Sequence, residues 1–150
     1  MNKTQDIKDI FSMFHDGYID SFKIENNRID LKIGIQYLAE LIDERYKYLH
    51  LSLYEVESIK YDVWTDESFI MTDWSQIFEL GIDILNVEMD DLEQVTIHSN
   101  CDNAPNDEFR GGKLIIKCLD YNMRDEGDNS LTIEKLKELS TYYWNVKCGQ

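Results

Sequence analysis

Basic side chains are scarce in this chain. Its 150 residues carry 15 Lys and Arg against 30 Asp and Glu, a formal net charge of −15 at pH 7. A surface of that sign repels phosphate backbones and anionic lipid, so neither nucleic acid nor a membrane is expected as a partner. Proline is nearly missing, and the single Pro105 excludes a long proline-rich linker. Cysteine is sparse as well. Cys101, Cys118 and Cys148 are odd in number and far apart, which fits free thiols in a reducing compartment better than a disulfide framework. No apolar run approaches the ~20 residues that span a bilayer as a helix. Met1–Asp6 has neither the basic start nor the apolar stretch of a secretory leader. A cytoplasmic protein is the expectation.

Sequence motifs with a chemical mechanism are also lacking. No Gly-x-Gly-x-x-Gly, Walker lysine, Ser nucleophile elbow, Cys-x-x-Cys or His-Glu-x-x-His occurs. Gly111-Gly112 reads as a strand entry, because no helix follows to receive a phosphate. The stretch around Gly127 fails as a calcium loop. Read back from that glycine, the ligand positions hold Asn122, Arg124 and Glu126, and the closing position holds Ile133. Arg124 in a ligand slot is incompatible with a hard cation. No catalytic residue, cofactor or metal ligand is therefore assigned.

What the chain does have is the material for a core. Hydrophobic residues make up 43% and aromatic residues 12%, too many for a disordered chain despite the charge. At this length a single domain, 1–150, is expected. Ile7, Ile10, Phe11 and Phe14 form one helical stripe, which Thr4 or Asp6 caps and Gly17 ends. The period then changes to two. The run Tyr18–Glu25 and the alternating Ile29, Leu31, Ile33 and Ile35 flank Asn26-Asn27, the pattern of a hairpin. Tyr37–Tyr46 is ambiguous, with a short helix as one reading. Leu49–Leu53 and Ile59–Val63 read as two strands joined near Glu55-Val56-Glu57. Asp73 and Gln76 have capping-box spacing before a short helix. Ile82 and Ile84, followed by Leu85, Val87 and Met89, alternate with a one-residue phase shift, the mark of a β-bulge.

Val95 and Ile97 begin another strand, Asn100–Arg110 reads as a loop, and Leu114, Ile116 and Cys118 lie in the next strand. A polar turn at Asp125–Asn129 leads to a last helix that starts at Leu131 or Thr132. Leu136, Leu139, Tyr142 and Tyr143 form its apolar side. Connections between strands are too short for parallel crossovers. The expected class is α+β: a mainly antiparallel, meander-like sheet with N-terminal and C-terminal helices packed on it. No internal repeat or low-complexity segment is visible.

The candidate contact residues are the acids of two turns: Glu88, Asp90, Asp91 and Glu93 in one, and Asp125, Glu126 and Asp128 in the other. Tyr142-Tyr143-Trp144 cannot all face one side of a helix, so at least one ring is expected at the surface. Exposed aromatics among acids suit protein recognition, and an acidic coat favours a basic protein partner. A small-ligand-binding domain or enzyme with a pocket on the sheet is the alternative. It requires His15, Asp16, His50 and His98 to converge. His15-Asp16-Gly17 is otherwise helix-stop and turn chemistry. A homodimer built on a sheet edge is a third reading.

Three stretches carry a resemblance that spans most of the chain: Phe14-His15-Asp16-Gly17 before the first hairpin, Tyr37-Leu38-Ala39-Glu40 after it, and the C-terminal segment Leu136–Trp144. The pattern is similar to small uncharacterised acidic bacterial proteins, including immunity proteins of polymorphic toxin systems. The resemblance implies a cytoplasmic inhibitor that occludes a toxin. It implies no site residue, because that class shares no catalytic positions.

Overall fold

The apolar stripe at the N-terminus folds as expected. In the computed structural model, which describes residues 3–64, 69–90, 93–102 and 111–147, helix α1 spans Lys3–Met13. Ile7, Ile10, Phe11 and Phe14 are all buried. The helix stops differently from expectation. Asp16, not Gly17, takes the left-handed conformation, with φ 68°, and its N–H donates to the Ile84 carbonyl at 2.8 Å. Gly17 is required for space. A Cβ there would meet the Phe14 carbonyl oxygen at 2.9 Å and that of Gly34 at 3.0 Å.

Strands β1 (Tyr18–Glu25) and β2 (Arg28–Gly34) form the hairpin. Asn26, at φ 56°, supplies the turn conformation that asparagine tolerates. The ambiguous segment yields only a one-turn helix, α2 (Gln36–Ala39). The two strands expected on either side of Glu55-Val56-Glu57 are one strand, β3 (Tyr48–Val63). Glu55 has φ 51° and the register shifts between Val56 and Ser58, so these residues form a bulge where a turn was expected. The long partner strand runs through both halves and keeps the chain extended.

The remaining elements are β4 (Phe69–Met71), α3 (Trp74–Phe78), β5 (Ile82–Met89), β6 (Val95–Cys101), β7 (Gly111–Asp125), β8 (Ser130–Leu131) and α4 (Ile133–Tyr142), which runs into a π-helical turn, Tyr143–Lys147. The expected Asp73 cap forms and Thr132 caps the last helix, whereas Thr4 and Asp6, expected to cap α1, lie inside it because the helix already includes Lys3. The Asp73 carboxylate accepts from Gln76 N–H at 3.1 Å, and the Thr132 hydroxyl accepts from Lys135 N–H at 3.1 Å. The phase shift in β5 is a bulge at Leu85, between the pairs Ile84–Ser99 and Asn86–His98. Cys101 ends a strand instead of lying in a loop, and Cys118 is buried as expected. Cys148 lies outside the described residues.

The fold is α+β, with an eight-stranded antiparallel sheet in the order β4-β3-β2-β1-β5-β6-β7-β8 and helices at both ends of the chain. It consists of two meanders, β1–β4 and β5–β8, joined twice. β3 pairs with β7 along nearly its whole length, from Leu49–Asp125 to Val63–Gly112. β1 meets β5 through the pair Tyr18–Asp83. The pairings thus close a ring of β1, β2, β3, β7, β6 and β5.

The strands of the two halves match in order and length: each half opens with a helix and continues with strands of 8 and 8, 7 and 7, 16 and 15, and 3 and 2 residues, while α2 and α4 have no counterpart. No internal repeat visible in the sequence accompanies this pairing of strands. The helices are exchanged between halves. α1 packs on β5, β6 and β7, with α4 beside it, while α3 packs on β1 and β3. The inward residues of all six ring strands and the apolar sides of the helices share one core.

Candidate functional site

The acids of the two turns have different fates. Glu88 is exposed on β5, and its carboxylate lies 3.2 Å from His98 Nε2. Asp90 and Glu93 shape the β5–β6 turn. The Asp90 carboxylate accepts from Gln94 N–H at 2.9 Å, and Glu93 takes φ 59°. Asp91 lies outside the described residues.

In the second turn Asp125 is only 7% exposed. Its carboxylate accepts from Asn129 N–H at 3.0 Å and from the Asn129 amide at 3.3 Å. Glu126 accepts from Lys47 N–H at 3.1 Å, and Asp128 pairs with Arg124. All three carboxylates hold their own chain. The two turns do not form one surface. Val95, at the start of β6, faces Ile116 of β7, and Asp125 lies roughly 30 Å of extended strand further on.

The histidines do not converge. His15 sits in the turn after α1, with its ring 5.0 Å from that of Trp144. His50 lies on the outer face of β3, and His98 lies on β6. Among the described residues no three His, Cys, Asp or Glu side chains gather as a metal set. Tyr61 and Ser99 share a buried hydrogen bond of 2.9 Å, and Cys101 Sγ lies 2.9 Å from the same phenol oxygen. Burial raises the pKa of both the Cys101 thiol and the Tyr61 phenol, which suits neither to act as a nucleophile.

A different surface combines acids with exposed apolar groups. Tyr142 was expected on the buried side of the last helix but is 47% exposed, while Tyr143 turns inward. The π-helical turn rotates the chain after Tyr142, so its neighbour packs on Tyr37 with the rings tilted by 40° and their centroids 4.5 Å apart. Tyr37 in turn donates to the His15 carbonyl at 2.7 Å. This buttress leaves Trp144 and Val146 about as exposed as Tyr142, at 40% and 42%.

Beside them runs an open groove of about 1020 Å³ between α4 and the segment after α2. Leu41, Leu139 and Tyr142 supply its apolar lining, and Glu40, Glu134 and Glu138 its carboxylates. Its two lysines are engaged: Lys135 with Glu138 at 3.5 Å and Lys137 with Asp9 at 3.8 Å. Glu40 and Glu134 form no ion pair among the described residues. The Tyr-Tyr-Trp run is a sequence signal for this surface. The acids that join it come from elements about a hundred residues apart and give no local signal.

Comparison of the chain with protein-family models, with curated proteins and with solved structures finds no match.

Proposed function

We propose that this is a non-enzymatic domain that binds a basic protein partner, acting in a bacterial cytoplasm as an immunity-type inhibitor that covers a toxin. The supporting observation is the surface at α4. There, exposed Tyr142, Trp144 and Val146 stand beside a groove whose Glu40 and Glu134 form no ion pair among the described residues, on a chain of net charge −15. Rigid aromatics supply contact area at low entropy cost, and uncommitted carboxylates steer and register a cationic partner. The acids of the two turns add to the long-range field, with Glu88 and Glu93 as exposed contributors. Asp125 contributes charge but little contact area.

The test is capture on the immobilised domain in low and high salt, together with co-expression beside the product of the neighbouring gene. The reading expects a basic protein retained at low salt, released by salt, and lost in Trp144→Ala. A domain that retains no basic protein at low salt, and that rescues no cell from a neighbouring toxin, defeats it.

A further inference from the structure

Cations are rare in this chain, yet Lys23, Lys32 and Arg124 share one face of the sheet with His50. The outer residues of β1, β2, β3, β7 and β8 fall into register rows. One row reads Ser21, Lys32, His50, Arg124 and Ser130 across the five strands. The next reads Lys23, Asp30, Ser52 and Asn122. Lys32, His50 and Arg124 are therefore directly abreast, with no acid between them. Lys32 and Arg124 thus flank an imidazole in a row that holds no acid, although the chain has 30 acids that could interleave one.

We propose that this row is a binding site for a tetrahedral oxyanion of the phosphate class, held by Lys32, Arg124 and His50 with Ser21 at its rim. A hollow of about 190 Å³ lies over these side chains, and Lys23 and Asp30 also line it. That is roughly six water volumes, room for one oxyanion and too little for a nucleotide. The cations are held in place by contacts that leave donors over. Lys32 Nζ stands 4.1 Å above the Tyr48 ring. Arg124 gives one nitrogen to Asp128 and keeps the rest of its five-donor fork.

Besides Asp128 on Arg124, Asp30 is an acid at the hollow itself, and its carboxylate is already occupied. It accepts from Ser52 Oγ at 2.6 Å and from Arg28 Nε at 3.0 Å. The overall negative charge does not forbid the site, because at physiological salt fields decay over about 8 Å and the adjacent cations dominate. Burial, then Arg124 and Lys32, lowers the His50 pKa, while Asp128 and Glu126 oppose the shift. A bound anion reverses the cationic contribution, so binding raises that pKa and tightens as pH falls.

The test follows the three imidazoles by NMR as inorganic phosphate is added at constant ionic strength in chloride, with sulfate in a parallel series. A saturable shift is expected at His50, with none at His15 or His98. Lys32→Gln and Arg124→Gln each weaken binding roughly tenfold or more. Arg124→Gln also removes a turn contact. Lys32→Gln is therefore the deciding variant, with its fold checked by an unchanged amide spectrum away from the patch. Equal drift of all three histidines, no saturation, or phosphate affinity unchanged in Lys32→Gln overturns the proposal.

Discussion

Tyr18 and Asp83 face each other as the register pair that joins the two meanders at the β1–β5 seam. The seam is short. Beyond this pair it holds the bonds from Asp16 N–H to the Ile84 carbonyl and from Ile84 N–H to the Gly17 carbonyl, each 2.8 Å. Desolvation, followed by a hydrogen bond and charge repulsion from Asp102, pushes the Asp83 carboxyl up to about 6. Two hydrogen-bonded carboxyls need one proton between them.

The sign of the pH effect follows from that shift. The unfolded carboxyl titrates at 3.8 and the folded one at about 6. Its stabilising contribution is therefore present at low pH and lost as pH rises through about 6. Thermal unfolding measured between about pH 5 and about pH 8 is expected to show the native chain losing stability relative to Asp83→Asn over that interval. Parallel curves for the two proteins would refute the seam as its source.

Gly112 lets β7 lie close against β3. A Cβ there would meet the Asp62 carbonyl oxygen at 2.2 Å and the Tyr61 ring at 2.7 Å. Gly112→Ala is expected to destabilise the fold by about 1–3 kcal/mol through overpacking. Tyr61→Phe, which only removes the phenol shared with Ser99 and Cys101, is expected to cost about 1 kcal/mol. Urea unfolding of both variants checks the order.

Cys118 is 3% exposed, and burial pushes its thiol up to about 12. Alkylation of the native protein near neutral pH is expected to leave Cys118 unmodified, and unfolding in denaturant to release it. Peptide mapping by mass spectrometry after a short pulse of reagent reads this directly. Rapid native modification would contradict the core placement.

Thr132 caps the helix that carries the contact surface. Thr132→Ala is expected to cost about 1 kcal/mol of stability, read from the unfolding midpoint. Glu40→Gln with Glu134→Gln is expected to leave stability within about 0.5 kcal/mol and to slow association with a basic partner several-fold at low salt. That slowing should vanish at high salt. A salt-independent loss would place the two acids in a packed contact instead of a steering field.

Much of the local structure was legible in the residues. The stripe Ile7–Phe14, the Asn26-Asn27 hairpin, the Leu85 bulge, the Asp73 cap and the start of the last helix near Thr132 each depend on contacts within a few positions. Periodicity and turn chemistry report such contacts directly. The misreadings share a cause as well. Glu55-Val56-Glu57 looks like a turn until β7 is laid beside it. Asp125 looks like a solvated loop acid until β7 is seen to extend that far and Asn129 folds onto it. Tyr142 looks buried until the π-helical turn sets the phase of the rings after it.

The sequence alone therefore settled the class of the fold, the positions of most elements and the acidic character of the surface. Tertiary structure decided the closure of the ring at Tyr18 and Asp83, the matching of the two halves, and the company each charged residue keeps. Lys32, His50 and Arg124 are dispersed along the chain, and nothing near any of them mentions the other two. Strand register across distant segments is a property of the whole packed core, so no local pattern encodes which polar groups it brings abreast.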